Sequence, residues 1–211
     1  VAIETVARTW FEKDPGLAVK WAAELPDLQD RFFGLRPLLP KLAETDPASV
    51  ASYVAALPTK EPFSHLSEDF AGQWADMDPS AAAVWAAGLA APALSGRMLP
   101  QIARAWAGDD PKAAAAWIVS LPPGRDREFA ASSYVLGALN YDPPMAAEMA
   151  MTLSNENMGG EAIANVALRW IHADPSATEA WLTRIRVPET AKKKLQDNGF
   201  PKTSAAFRSS P

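Results

Sequence analysis

The dipeptide Asp-Pro occurs six times, at Asp14-Pro15, Asp46-Pro47, Asp78-Pro79, Asp110-Pro111, Asp142-Pro143 and Asp174-Pro175, and each copy follows the previous one by 32 residues without an insertion. A fixed period over most of a 211-residue chain restricts the fold to tandem copies of one supersecondary unit. The dipeptide itself says what begins there. An N-cap residue needs a non-helical backbone and a side-chain oxygen for the free amides of the first turn. Asp supplies the oxygen, and the following proline biases it away from the helical region. Proline then occupies the first helical position, where its missing N–H costs nothing, and the carboxylate complements the helix dipole. Each Asp-Pro is therefore expected to start a helix, with a structural role for its Asp.

Counting from each Asp, apolar residues fall at offsets +4, +7, +8 and +11, as in Ala114, Trp117, Ile118 and Leu121, which is one helical stripe. Leu-Pro closes this helix B at Leu25-Pro26, Leu57-Pro58 and Leu121-Pro122, for an expected length of about 11 to 12 residues. A second stripe precedes each Asp at offsets −11, −8, −7, −4 and −3, as in Leu99, Ile102, Ala103, Trp106 and Ala107, and defines helix A. All eight tryptophans occupy offsets −4 and +7: Trp10 and Trp21, Trp74 and Trp85, Trp106 and Trp117, Trp170 and Trp181. The unit is an antiparallel helical hairpin. Helices this short are marginal alone, so stacking must stabilise them. With 42 alanines in the chain, buried Trp knobs against Ala floors are the expected packing rule.

The reading is thus an all-α fold: an α-solenoid of six 32-residue antiparallel hairpins, about twelve helices, over residues 1–188. Residues 189–211 hold a short capping helix, with Ala191 and Leu195 on one face and Gly199 beyond its end, and a basic tail, "FPKTSAAFRSSP", expected to be loosely held. The second repeat departs from the pattern. Pro37 and Pro40 in "GLRPLLP" should kink or restart its helix A, and both it and the fifth repeat lack tryptophan.

Charge excludes one class of partner. The net charge is −5; residues 189–211 carry +3, leaving −8 on residues 1–188, so nucleic acid is not an expected partner. No apolar run approaches the roughly 18 to 20 residues of a membrane span. Because the chain begins at Val1, any targeting segment is expected to lie upstream. The absence of cysteine fits a reducing and an oxidising compartment equally.

Signals for chemistry are sparse. His65 and His172 are the only histidines, no His or carboxylate cluster has metal-ligand spacing, and no phosphate-binding glycine loop, GxSxG elbow or HExxH motif occurs. Neither a cofactor nor a catalytic residue is assigned. Two loops ahead of helices A, "EPFSHLSED" at 61–69 and "GRDRE" at 124–128, carry acidic residues that would line a rim if the array closed, and that equally complement helix starts. "NENMGG" at 155–160 is a turn-rich loop with no assigned role.

The motif WxxxDPxxAxxWxxxLP over residues 1–188 resembles tandem helical repeats found in bacterial proteins of uncharacterised role, and more distantly is similar to tetratricopeptide-type α-solenoids. The second likeness is one of class: tetratricopeptide units have 34 residues and a Leu-Gly after the Trp, and no Leu-Gly follows Trp10, Trp74, Trp106 or Trp170. The resemblance implies a right-handed superhelix whose exposed face binds other proteins or peptides, a non-catalytic scaffold. An accessory domain of a larger cell-wall enzyme, or a closed helical ring with a rim site, is the competing reading. The partner surface expected from the repeat is a strip at offsets −9 and −5 of helix A: Thr5 and Thr9, Asp69 and Gln73, Gln101, and Asn165 and Arg169. The nearly uncharged helices B of the third and fourth repeats, "SAAAVWAAGLAA" and "KAAAAWIVSLP", are expected to be core on both sides or to form a surface for a partner helix or a second copy.

Overall fold

A computed structural model describes residues 2–89, 92–201 and 204–207. Among the described residues the chain is all-helical, with fourteen α-helices, one short 3₁₀ turn and no strand. It divides into two compact units, residues 1–98 and 99–211, and the division falls inside helix α8 (Pro92–Asp109).

The first unit contains α1 (Ala2–Phe11), α2 (Pro15–Glu24), α3 (Leu28–Leu35), α4 (Leu39–Ala43), α5 (Pro47–Ala55), α6 (Phe63–Met77) and α7 (Pro79–Ala87). The second contains the rest of α8 with α9 (Pro111–Ser120), α10 (Arg125–Ala138), α11 (Pro143–Ala150), α12 (Glu156–Ala173), α13 (Pro175–Arg184) and α14 (Glu189–Asp197). The helices B run 8 to 10 residues, shorter than expected, because the chain leaves the helix before the Leu that closes the stripe. Pro37 and Pro40 do break the second helix A, into α3 and α4 separated by a turn at 36–38. Pro100 behaves differently. It lies inside α8, where it withholds an N–H from the preceding turn without ending the helix.

Every Asp-Pro turn has the same construction. The Asp backbone is extended, with φ from −152° to −132° and ψ from 71° to 95°. Its carboxylate accepts from the amide three residues on, Leu17, Ser49, Ala81, Ala113, Met145 or Ala177, at 2.9–3.0 Å. Its own N–H donates at 2.8–3.0 Å to the carbonyl four residues back, from Trp10, Leu42, Trp74, Trp106, Ala138 or Trp170. One residue thus ends helix A and starts helix B, which satisfies orphan groups of both helices in a turn too short for slack.

Packing follows the stripes, with one correction. Offset +4 is fully buried in every copy, at Ala18, Val50, Ala82, Ala114, Ala146 and Thr178, and offset +8 is buried equally at Ala22, Val54, Ala86, Ile118, Ala150 and Leu182. The tryptophans pair within each hairpin: Trp10–Trp21, Trp74–Trp85, Trp106–Trp117 and Trp170–Trp181, with ring centroids 5.4–6.0 Å apart and tilts of 36–44°. Of the eight, only Trp74 and Trp181 are buried; the others are half-buried. The floors are as expected, and most knobs are part solvent-facing clasps over the Asp-Pro turn.

Neighbouring helices meet through contacts about one repeat apart in the chain, as Arg36 meets Glu4 across 32 residues and Thr190 meets Glu156 across 34. Lys41 reaches Glu12, Arg97 reaches Glu68 and Arg169 reaches Asn140, each across 29 residues. Gln73 reaches the Pro40 carbonyl and Lys194 reaches Glu161, each across 33. Gly137 packs against the Arg104 carbonyl, again 33 residues away (137 minus 104). The spacings of 29 and 33 differ by four, one helical turn, so they mark two adjacent positions on one helix beside another. Exposed ion pairs of this kind contribute little stability. Their value here is as marks of which helices meet.

The chain end is more ordered than its composition suggests. Helix α14 packs on α12 where Thr190 sits against Gly160, a position with no room for a Cβ. This is the role of Gly160 in "NENMGG", whose Asn155 also caps α12 by accepting from Met158 N at 3.0 Å. Ala191 and Leu195 are fully buried, and Gly199 follows the helix with φ of +73°. Phe200 and Ala206 are buried too, and the 3₁₀ turn Ala205–Phe207 packs on α13, so the described part of the tail is docked, not loose. Residues 202, 203 and 208–211 of that tail lie outside the described residues.

Candidate functional site

The residues expected to form a strip fall into two groups. In the first unit Thr5, Thr9 and Asp69 are exposed, and the Thr9 hydroxyl donates to the Thr5 carbonyl at 2.9 Å. Gln73 is half-buried and donates its amide to the Pro40 carbonyl at 2.9 Å. In the second unit Gln101 and Asn165 are half-buried, and exposed Arg169 donates to Asn140 Oδ1 at 2.6 Å. Offset −5 is therefore the seam between consecutive helices A wherever it carries Lys41, Gln73, Gly137 or Arg169. Thr5, Thr9 and Asp69 remain exposed at the surface.

The two histidines lie in different units. His65 is exposed, 2.8 Å from Glu61 and 3.9 Å from Glu68, in a cluster completed by Arg97. His172 is exposed near the end of α12. Among the described residues no three His, Cys, Asp or Glu side chains are grouped to hold a metal ion. The outer side of the third and fourth helices B is open: Val84 is 76% and Val119 56% exposed, while Ala82, Ala86, Ala114 and Ile118 are buried beneath.

A cleft of about 660 Å³ with diverse lining chemistry lies in the second unit, between the starts of α10 and α12 and the loop after α11. The "GRDRE" segment supplies one wall. Gly124, at φ +147°, leads into α10 without a side-chain cap, and the first turn then carries Arg125, Arg127 and Glu128. Phe129 adds an aromatic wall, 39% exposed, with the Arg125 guanidinium 5.2 Å from its ring centroid. Thr152 and Met158 face it from the other side of the lining.

Glu128 holds the two walls together. Its Oε1 accepts from the Ser154 hydroxyl at 2.6 Å and the Ser154 amide at 3.0 Å, and its Oε2 accepts from the Asn155 amide at 3.4 Å. Partial burial opposes its ionisation, but these hydrogen bonds, with the charge of Arg127, outweigh that and hold the carboxyl below the usual glutamate range. Both its oxygens are thereby engaged. The arginines are not: among the described residues neither Arg125 nor Arg127 has a carboxylate at ion-pair distance. The cleft therefore offers two guanidinium donors beside apolar surface.

Sequence reasoning singled out "GRDRE" for its acids, whereas its arginines and the following Phe129 line the cleft. What brings them opposite Thr152 and Met158 is the packing of α10 on α12, across some 30 residues, which no local pattern encodes. The fold and cleft define an all-helical protein of repeated Asp-capped hairpins. No family model, no curated protein and no solved structure matches this chain. Among the described residues no helix is long and apolar enough to cross a membrane.

Proposed function

We propose that this chain is a non-catalytic helical-repeat scaffold, an α-solenoid of six hairpins that binds another protein or a peptide. The observation that carries the reading is the recurrence of contacts about one repeat apart in the chain, at spacings of 29 to 36 residues, within each of the two units. Hairpins that pack on their chain neighbours build a framework whose stability is local. Such a framework leaves a repeated exposed surface free to vary, which suits an extended ligand better than a reaction centre. Unspent features for recognition, the arginine-lined cleft and the open Val84 and Val119 surfaces, add to this reading.

The test is selection of ligands from a random peptide phage library on the immobilised chain. Convergence on a consensus whose synthetic form binds with one-to-one stoichiometry by calorimetry is the expected result. A library that never converges, repeated with the chain shown to be folded by circular dichroism, overturns the scaffold reading.

A further inference from the structure

The cleft between α10 and α12 carries an inference that rests on the scaffold reading and gives it a site. We propose that this cleft takes an acidic peptide segment containing apolar residues, with its carboxylates on Arg125 and Arg127 and an apolar side chain against Phe129 and Met158. The argument begins with charge. Glu128 is the one acid among the lining residues, and both its oxygens are engaged by Ser154 and Asn155. Among the described residues neither guanidinium has a carboxylate at ion-pair distance, the Arg127 charge acting on Glu128 only from farther off. A guanidinium presents a planar fork that matches a carboxylate through two parallel hydrogen bonds.

Preorganisation adds to charge. Arg125 is held over the Phe129 ring, 5.2 Å from the centroid, so less side-chain freedom is lost on binding. Glu128 fastens the start of α10 to the start of α12, which keeps the two walls at a set separation before any ligand arrives.

Size and composition narrow the ligand. A cleft of about 660 Å³ lies within the ordinary range for binding pockets, roughly 300 to 1,000 Å³, and exceeds what an inorganic anion fills. Phe129 and Met158 give an apolar wall that such an anion would not use. A short segment carrying carboxylates next to Leu or Phe uses both halves of the lining.

The test uses fluorescence polarisation with a labelled short peptide alternating Glu with Leu and Phe, and a twin with Gln in place of Glu. The whole chain should bind the Glu peptide about tenfold more tightly than the Gln peptide, with affinity falling as salt rises. The double variant Arg125→Ala, Arg127→Ala should lose that preference at an unchanged unfolding midpoint, and Arg125→Lys, Arg127→Lys should keep part of it, because charge remains while the planar fork is gone. Equal binding of the two peptides overturns the cleft, and that comparison needs no variant to fold. Phage-selected peptides that lack acids and ignore the Arg pair also overturn it, while leaving the scaffold reading standing. A library that never converges overturns both.

Discussion

The Tyr134 hydroxyl donates to the Pro111 carbonyl at 2.9 Å, joining the middle of α10 to the first residue of α9. Tyr134 is fully buried, and Pro111 follows the Asp110 cap, so this bond ties one hairpin to the Asp-Pro turn of the hairpin before it. Tyr134→Phe keeps the ring and removes this second bond to a carbonyl that helix α9 also uses, which should cost about 1 kcal/mol in chemical denaturation. Burial, and then the negative charges of Asp142, Glu148 and Asp110, push the phenol up from 10.0 to about 12. Because the folded value lies above the unfolded one, the neutral phenol's contribution is complete below pH 10 and is lost as pH rises toward 12. The unfolding midpoint of the native chain should therefore fall across that window more steeply than that of Tyr134→Phe.

Gly137 and Gly108 should respond oppositely to the same change. A Cβ on Gly137 would collide with the Arg104 carbonyl of the neighbouring helix and press on Ala107, so Gly137→Ala should destabilise by about 1 to 3 kcal/mol through overpacking. At Gly108 the nearest atom is the edge of the exposed Tyr141 ring at 3.5 Å, an ordinary contact. There the helix preference of alanine should prevail, leaving stability unchanged or raised by about 0.5 to 1 kcal/mol. Equal effects at the two sites would contradict the seam between helices A.

Burial ranks the clasp residues. Trp181, 4% exposed and with its indole N–H 3.5 Å from the Met151 sulfur, should cost about 3 to 5 kcal/mol on truncation to Ala. Half-buried Trp117 should cost less, about 2 to 3 kcal/mol, in proportion to the smaller area returned to water. Asp110→Ala removes one cap hydrogen bond and should cost nearer 1 kcal/mol. Urea denaturation of the three variants measures the order directly.

Acid should loosen the caps. The Ala81 amide and then the Ser80 hydroxyl lower the Asp78 carboxyl below its usual 3.8; the Ala177 amide and the Ser176 hydroxyl do the same for Asp174; the Ser49 hydroxyl and amide do so for Asp46. Depressed carboxyls contribute stability that is present above pH 3.8 and lost as pH falls through their lower folded values. Helical circular dichroism should decline in that acid range. The double variant Asp78→Asn, Asp174→Asn keeps a capping oxygen that does not titrate, so it should decline less.

Much of the architecture was legible because its causes are local. Asp14, Asp46, Asp78, Asp110, Asp142 and Asp174 each need only their own next three residues and the proline between to make a cap, and all six do so. The same holds for the buried faces at offsets +4 and +8, since helical spacing alone puts Ala114 and Ile118 on one side. The split of α3 from α4 follows equally from Pro37 and Pro40.

What depended on tertiary structure is the use of each surface. Gln73 and Arg169 are polar residues at helical spacing, and spacing cannot distinguish a ligand-facing strip from a seam; the neighbouring helices, 33 and 29 residues away, decided that they bind Pro40 and Asn140. Trp106 and Trp117 meet as the repeat implies, yet how much of each ring stays wet is set by what lies beside the hairpin. Arg125, Arg127 and Phe129 read as an ordinary helix start until α12 places Ser154 and Asn155 on Glu128, spends the acid and leaves the arginines facing the cleft. Caps and stripes are sums of short-range terms and belong to the sequence; seams and clefts depend on which surfaces meet across a repeat, and that is settled only when the chain packs.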